Sequence, residues 1–271
     1  MPELPEVETT RRGLAPLLEG HAIDGVIVRD HRLRWPIPKD LHSCVVGKVI
    51  TRVNRRAKYL LITCGSGTLI IHLGMSGSLR IVPAIEAPRL HDHVDFVVGS
   101  RILRMRDPRR FGAVLWHVGD PGTHPLLAHL GVEPLTPEFS GSHLHLSSRR
   151  RAMSIKSLLM DHSVVVGVGN IYASESLFRA KIRPTVRARK VSRLRMDALA
   201  QAVRETLEAA IRAGGSTLRD FVAGEGRAGY FQTQHLVYDR AGCACRLCGT
   251  TIRRIVQGQR STFFCPTCQV R

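Results

Sequence analysis

Four cysteines near the end of this 271-residue chain fall in two pairs, Cys245-x2-Cys248 and Cys265-x2-Cys268, with sixteen residues between the pairs. Two knuckles of this spacing offer four sulfurs to one tetrahedral ion, the pattern of a zinc ribbon. A segment so short cannot bury a core of its own, so the ion supplies the cross-link that folds it. Four protein sulfurs leave no open position for water, which makes the expected single zinc ion structural. Cys243 is a spare, because Cys243-x-Cys245 is a poorer knuckle. Cys44 and Cys64 stand alone in the first half and read as small core residues. Between the knuckles, Gln257 to Thr262 reads as a hairpin with Arg260 near its tip. An arginine there either clamps a phosphate or is an ordinary solvated side chain.

Lys and Arg number 40 against 22 Asp and Glu, a formal charge of +18. An excess of this size points to a polyanionic partner, with nucleic acid the usual one. At 44% hydrophobic residues the chain is too apolar for a disordered basic tail. The charge is concentrated: residues 146–195 hold 12 basic residues against two acids, Asp161 and Glu175. The amino terminus is the reverse, with Glu3, Glu6 and Glu8. No apolar run approaches the ~18 residues of a membrane span, and the start lacks the basic-then-apolar order of a signal peptide. The expectation is a cytoplasmic protein with no membrane partner.

Periodicity divides the chain. Residues 5–19 read as a helix, with Pro5 and Glu6 suited to its first turn and Val7, Leu14 and Leu18 on one face. From about 21 to 118 short β-branched runs alternate with turn residues. They are 22–28, 59–63, 68–73, 78–82, 94–98, 101–105 and 113–118, a pattern that suggests a sandwich or barrel. A Pro, Gly and Ser-rich stretch follows. Beyond it the period is helical, at 154–161, at 170–180, and from Ser192 through Met196, Leu199, Val203, Leu207 and Ile211 to Gly214-Gly215. The division is a β-rich domain over 1–132, a linker over 133–148, a helical domain over 149–236 and the zinc ribbon over 237–271.

Pro2 follows the initiator methionine, and a small second residue lets that methionine be removed. The proline nitrogen is then a free secondary amine. α-Amino groups titrate near ~8, so a useful fraction is neutral and nucleophilic at neutral pH. Condensation with a sugar aldehyde gives an iminium that has no N–H and stays cationic, an electron sink. Glu3 is placed to exchange protons at that sugar. The ordinary reading of such a terminus is a frayed end with no role.

Several blocks together resemble the formamidopyrimidine-DNA glycosylase family. They are Met1 to Thr9, Arg55 to Leu60, His72 to Gly77, Asp107 to Gly112, Gly167 to Ala173 and the zinc ribbon, so the resemblance covers essentially the whole chain. It implies an α+β, multidomain fold: an N-terminal β-sandwich with flanking helices, a helix-two-turns-helix module and a zinc ribbon. It implies a bifunctional base excision repair enzyme that flips and excises oxidised purines and then cuts the strand by β,δ-elimination. By the same resemblance Pro2 is the nucleophile, Glu3 its acid/base partner, and Lys58, counted with them as catalytic, lies against phosphate near the reacting sugar. Glu6 supports the lesion pocket. Lys156, Asn170, Tyr238 and Arg260 hold the backbone around the extruded nucleotide, Arg260 counting also as catalytic. His91 joins the DNA-binding set. The partner is damaged double-stranded DNA and the protein a monomer, nucleoid-associated when bound.

Physical argument adds to this. A base inside a duplex must be flipped out before its sugar can be attacked. Met75 and Phe111 are apolar wedges suited to fill the hole. Arg109 carries only donors, which match the N3 and O2 acceptors of an orphaned cytosine better than adenine's single acceptor. Lesions opposite cytosine are therefore expected to be preferred. Read alone, Met75 and Phe111 would be core residues. Gly167 to Asn170 lacks the Lys-Ser/Thr of a nucleotide loop, but amides opening a helix at Asn170 can bind a DNA phosphate. Gly214 to Tyr230 is expected to be mobile without DNA. The alternatives are an endonuclease VIII-type glycosylase for oxidised pyrimidines and a non-catalytic DNA-binding zinc protein. Neither role of Pro2 and Glu3 is needed for binding alone.

Overall fold

The computed structural model describes residues 2–216 and 234–270. The chain forms two compact units, residues 1–128 with 213–230, and 129–212 with 231–271.

The first unit opens with helix α1, Leu4–Leu18. Pro5 sits in its first turn, where a missing N–H costs nothing, and Glu6 faces the positive end of the helix dipole. Leu4, Val7, Leu14 and Leu18 are fully buried. Two four-stranded antiparallel sheets follow. One runs β1 (Gly25–Val28), β6 (Asp92–Val98), β7 (Arg101–Arg106), β5 (Ser78–Pro83). The other runs β2 (Ile50–Arg56), β3 (Tyr59–Cys64), β4 (Gly67–His72), β8 (Ala113–Val118). Alternate residues pack into one apolar core, among them Leu60, Ile62, Leu69, Ile71, Val94, Phe96, Leu103 and Met105. Cys64 lies in that core and Cys44 against it. This is the sandwich expected from the strand pattern. Strand β2 and the five-residue helix α2 (Leu41–Val45) were not in that pattern. Arginines occupy three of the seven β2 positions, which hides its alternation.

The second unit is helical. Helix α3 (Gly141–Ser148) lies inside the stretch read as a linker, so that stretch is not wholly irregular. Ser140 caps it, its side chain accepting the N–H of His143, a start signal hidden among Pro, Gly and Ser. Helices α4 (Ile155–Leu159) and α5 (Asn170–Arg179) follow, then α6 (Arg193–Arg212). The apolar face expected for the last of these is buried at Met196, Leu199, Val203, Leu207 and Ile211. The ribbon is the hairpin of β9 (Arg253–Gln257) and β10 (Arg260–Phe264). Its Phe263, Ile252 and Cys265 share a small core with Phe178 of α5. No helix among the described residues is long and apolar enough to cross a membrane.

Candidate active site

At the amino terminus, Pro2 is buried, and Glu3 and Glu6 are buried at 1% and 0% exposure. Glu3 is the residue before the first turn of α1, and its N–H donates to Glu6 Oε2 at 2.8 Å. Glu6 Oε1 accepts the N–H of Ser216 at 2.7 Å. Gly215 has φ +84° there, and a Cβ on it would lie 3.1 Å from Glu6 Oε1. One buried carboxylate thus ties the start of α1 to Ser216. The Gly214–Tyr230 segment expected to be mobile lies, beyond Ser216, outside the described residues.

Lys58 sits in the two-residue turn of the β2–β3 hairpin, after Ala57 at φ +55°. Arg55 clamps that turn, donating to the Ala57 carbonyl at 2.9 Å and to Glu8 Oε2 at 3.3 Å. Glu8 also accepts from Arg11 at 2.9 Å and Arg12 at 2.8 Å. Burial pushes the Glu8 carboxyl up, but these hydrogen bonds and the charges of Arg11 and Arg55 outweigh it and hold it at about 2. Glu8 therefore fastens the hairpin that presents Lys58 to the helix that follows Pro2.

His72 ends β4 and stacks on Tyr59, ring centroids 4.8 Å apart. Burial lowers its pKa to about 4, helped by the charges of Lys58 and Arg34. The geometry agrees: its Nδ1 accepts the N–H of Gly74 at 3.0 Å, which requires an unprotonated Nδ1.

Met75 and Phe111 are 39% and 41% exposed, which rules out the core reading of both. Arg109 is exposed, its guanidinium 5.0 Å from the Phe111 ring centre. His91 adopts φ +74° and is partly exposed. These four side chains lie on three loops, 73–77, 84–91 and 107–112, that meet around buried Asp107.

In the second unit Lys156 is 2% exposed rather than presented to solvent. Its ammonium donates to Asn170 Oδ1 at 2.5 Å, the Ser261 carbonyl at 3.2 Å and Thr262 Oγ1 at 2.7 Å. Asn170 in turn donates to the Ser261 carbonyl at 2.9 Å. Lys156 and Asn170 thus brace the start of α5 against β10. Arg260 is exposed at the first position of β10, after a turn in which Gly258 and Gln259 both have positive φ. That turn type matches the twist of a hairpin and sets Arg260 beside its tip. Tyr238 packs edge-on between His235 and Phe263. Its N–H and those of Leu236 and Val237 converge on the buried Glu175 carboxylate at 2.9–3.1 Å.

The sulfurs of Cys245, Cys248, Cys265 and Cys268 all lie within 4.8 Å of one another. Cys248 and Cys265 are 3.5 Å apart, Cys245 and Cys268 3.9 Å. Thiolates on one tetrahedral zinc are about 3.8 Å apart, from a Zn–S bond of about 2.3 Å. The cage fits one structural zinc. Cys243 is outside it and exposed.

Sequence reasoning missed Glu8, His72, Glu175 and Asp107. Each acts through other protein groups. Asp107 alone had a visible signal, an Asp-Pro turn start with Gly five residues on.

The structure combines a β-sandwich, a helical module and a four-cysteine ribbon whose hairpin carries an exposed arginine. Comparison with known proteins identifies the combination. Residues 1–114 match the formamidopyrimidine-DNA glycosylase N-terminal domain, 130–222 its H2TH domain, and 244–270 a zinc finger found in FPG and IleRS. Formamidopyrimidine-DNA glycosylase of Aromatoleum aromaticum is 59% identical over the full length of both chains. That of Paraburkholderia phytofirmans is 58% identical over 99% of this chain and all of its own. Among solved structures, MutM (FPG) of Thermus thermophilus has a TM-score of 0.90 at 40% identity, covering 99% and 98% of the two chains. Lactococcus lactis Fpg in complex with abasic-site DNA has a TM-score of 0.92 at 32% identity, covering 99% and 100%. The chain belongs to the formamidopyrimidine-DNA glycosylase family, and it is a DNA glycosylase of base excision repair.

Proposed function

We propose that this glycosylase excises oxidised purines, 8-oxoguanine and formamidopyrimidines, through Pro2 and then cuts the strand as a lyase. The carrying observation is the start of α1, where Pro2, Glu3 and Glu6 are buried together and Glu6 fixes the Glu3 backbone. Removal of Met1 frees the Pro2 nitrogen as a secondary amine with a lone pair to donate. The amine attacks C1′ as the bond to the base breaks, and the base leaves with that electron pair and a proton. The C1′–O4′ bond then opens, its electron pair and a proton going to O4′, and the iminium so formed withdraws electrons from C2′. Loss of a C2′ proton expels the 3′ phosphate, and a second elimination expels the 5′ phosphate. Glu3 exchanges protons at the sugar.

Lys58, His91, Lys156, Asn170, Tyr238 and Arg260 have roles in holding the strand. Arg260 and Lys58 present cations directly, while buried Lys156 acts by orienting Asn170 and β10. Glu6 supports the lesion pocket through Ser216. Met75, Arg109 and Phe111 fill the space left by the flipped nucleotide, Arg109 reading the orphaned cytosine. The protein works as a monomer in the bacterial cytoplasm, on the nucleoid when bound to DNA. Bacterial relatives and the +18 charge support that placement.

The test is a matched set of duplexes carrying 8-oxoguanine opposite cytosine, 8-oxoguanine opposite adenine, and an oxidised pyrimidine. Fastest excision is expected from the first, with 3′- and 5′-phosphate ends at the cut. Faster release of the pyrimidine would favour the endonuclease VIII-type reading.

A further inference from the structure

Asp107 is fully buried at the end of β7, and hydrogen bonds from three directions meet on it. Its Oδ1 accepts from Ser76 Oγ at 3.2 Å and from the Arg109 N–H at 3.3 Å. Its Oδ2 accepts the Gly112 N–H at 2.7 Å. Its own N–H donates to the His91 carbonyl at 3.0 Å, and its carbonyl bonds His93 Nε2 at 2.9 Å. The Ser76 bond fixes the loop of Met75. The Arg109 and Gly112 bonds fix the loop of Arg109 and Phe111. The backbone bonds fix the loop of His91.

The two wedge loops also touch backbone to backbone. Gly74 has φ +62°, and a Cβ there would lie 2.5 Å from the Phe111 carbonyl carbon and 2.6 Å from Gly112 N. A Cβ on Gly112 would meet Asp107 Oδ2 at 3.0 Å and the His72 carbonyl oxygen at 2.7 Å. Arg110, the one side chain of the 107–112 loop with an ion partner among the described residues, is held aside by Asp30 at 2.8 Å. Arg109 is thereby left to point elsewhere.

Building on the insert roles proposed for Met75, Arg109 and Phe111, we infer that Asp107 is a positioning residue that makes these three side chains one rigid insert. A wedge separates stacked bases only if it does not yield. Two side chains on independently moving loops would be pushed apart by the stack, and an arginine on a loose loop would bind adenine about as well as cytosine. Asp107 converts two exposed loops into a single element without itself reaching the surface.

The chemistry of its partners gives a specific expectation for two substitutions. In Asp107→Asn the amide oxygen can keep the short bond from the Gly112 N–H. The amide NH2 then faces Ser76 Oγ, and a hydroxyl accepts as well as donates. The NH2 offers the Arg109 N–H no acceptor, but the Gly112 bond still holds the 107–112 loop and the Ser76 bond the Met75 loop. In Asp107→Ala both ties are lost and the buried N–H of Gly112 has no acceptor.

The experiment measures single-turnover excision by the full-length zinc protein from 8-oxoguanine paired with cytosine, paired with adenine, and in an unpaired bubble. The bubble needs no wedge, so it reports the chemistry and the folded state. Asp107→Ala is expected to lose about tenfold or more on the cytosine-paired substrate, the size of a lost hydrogen bond to a charged group, and to keep bubble activity within about twofold. Its cytosine-over-adenine preference should shrink, while Asp107→Asn should stay near wild type. Equal loss on paired and bubble substrates, loss on neither, or an Asp107→Asn variant as damaged as Asp107→Ala would overturn the proposal. Met75→Ala and Phe111→Ala separate the two layers. If they leave the paired-to-bubble ratio unchanged, the insert reading fails. If they change it and Asp107→Ala does not, Asp107 alone loses its role.

Discussion

His72 offers a stability test that is independent of DNA. Its pKa is lowered by burial, and then by the Lys58 and Arg34 charges, from about 6.5 to about 4. The fold therefore holds the neutral ring, and the unfolded chain takes up the proton first as pH falls. Stability from this group is complete above about pH 6.5, is lost as pH drops from 6.5 towards 4, and changes no further below that. A shift of about 2.5 units at 1.36 kcal/mol each sets a ceiling of about 3 kcal/mol, and partial exposure of the ring reduces this to about 1–3 kcal/mol. His72→Asn removes the titration while placing Oδ1 where Nδ1 accepts the Gly74 N–H. Urea unfolding is followed by tryptophan fluorescence, because the only two tryptophans, Trp35 and Trp116, lie in the first unit. The stability difference between wild type and His72→Asn should change by about 1–3 kcal/mol from pH 7.5 to 4.5, to the wild type's disadvantage in acid. A difference that stays constant with pH would refute the reasoning.

Other expectations follow from single contacts. Glu8→Gln removes the charge that gathers Arg11, Arg12 and Arg55, and should cost about 1–3 kcal/mol at pH 7. Because the Glu8 carboxyl is held at about 2 in the fold, that cost should fade as pH drops from about 4.5 towards 2, which acid unfolding of the two proteins would show. Chelation of zinc, or Cys265→Ser, should abolish DNA binding in a gel-shift assay while leaving the tryptophan signal of the first unit unchanged. Arg109→Gln should bring the excision rates opposite cytosine and adenine together, and rates still as far apart as in the wild type would remove Arg109 from base reading.

The sandwich was legible because its strands are short apolar, β-branched runs set off by turn residues, as at Tyr59 to Thr63, with Gly65 and Gly99 marking turns. The zinc cage was legible because four ligands at fixed spacing have one geometric solution. Strand β2 was not, since Arg52, Arg55 and Arg56 break the apolar pattern that identifies a half-buried strand. Helix α3 was hidden by residues that also build loops. The site followed the same division. Pro2, Glu3 and the wedge residues could be named from chemistry and resemblance. Lys156 could be named but not its burial, because a cation's solvent exposure depends on Asn170, Ser261 and Thr262, which are distant in sequence. Asp107, Glu175 and Glu8 act by collecting N–H groups or cations from loops that meet only in the folded chain.

Borohydride reduction of the enzyme on DNA containing 8-oxoguanine opposite cytosine, followed by mass spectrometry of the linked peptide, reaches the nucleophile itself. A reduced adduct on the nitrogen of Pro2, in protein lacking Met1, is the expected result, and acetylating that nitrogen beforehand should abolish it. An adduct on a lysine, or base release at full rate from the acetylated protein, would contradict catalysis by the terminal amine.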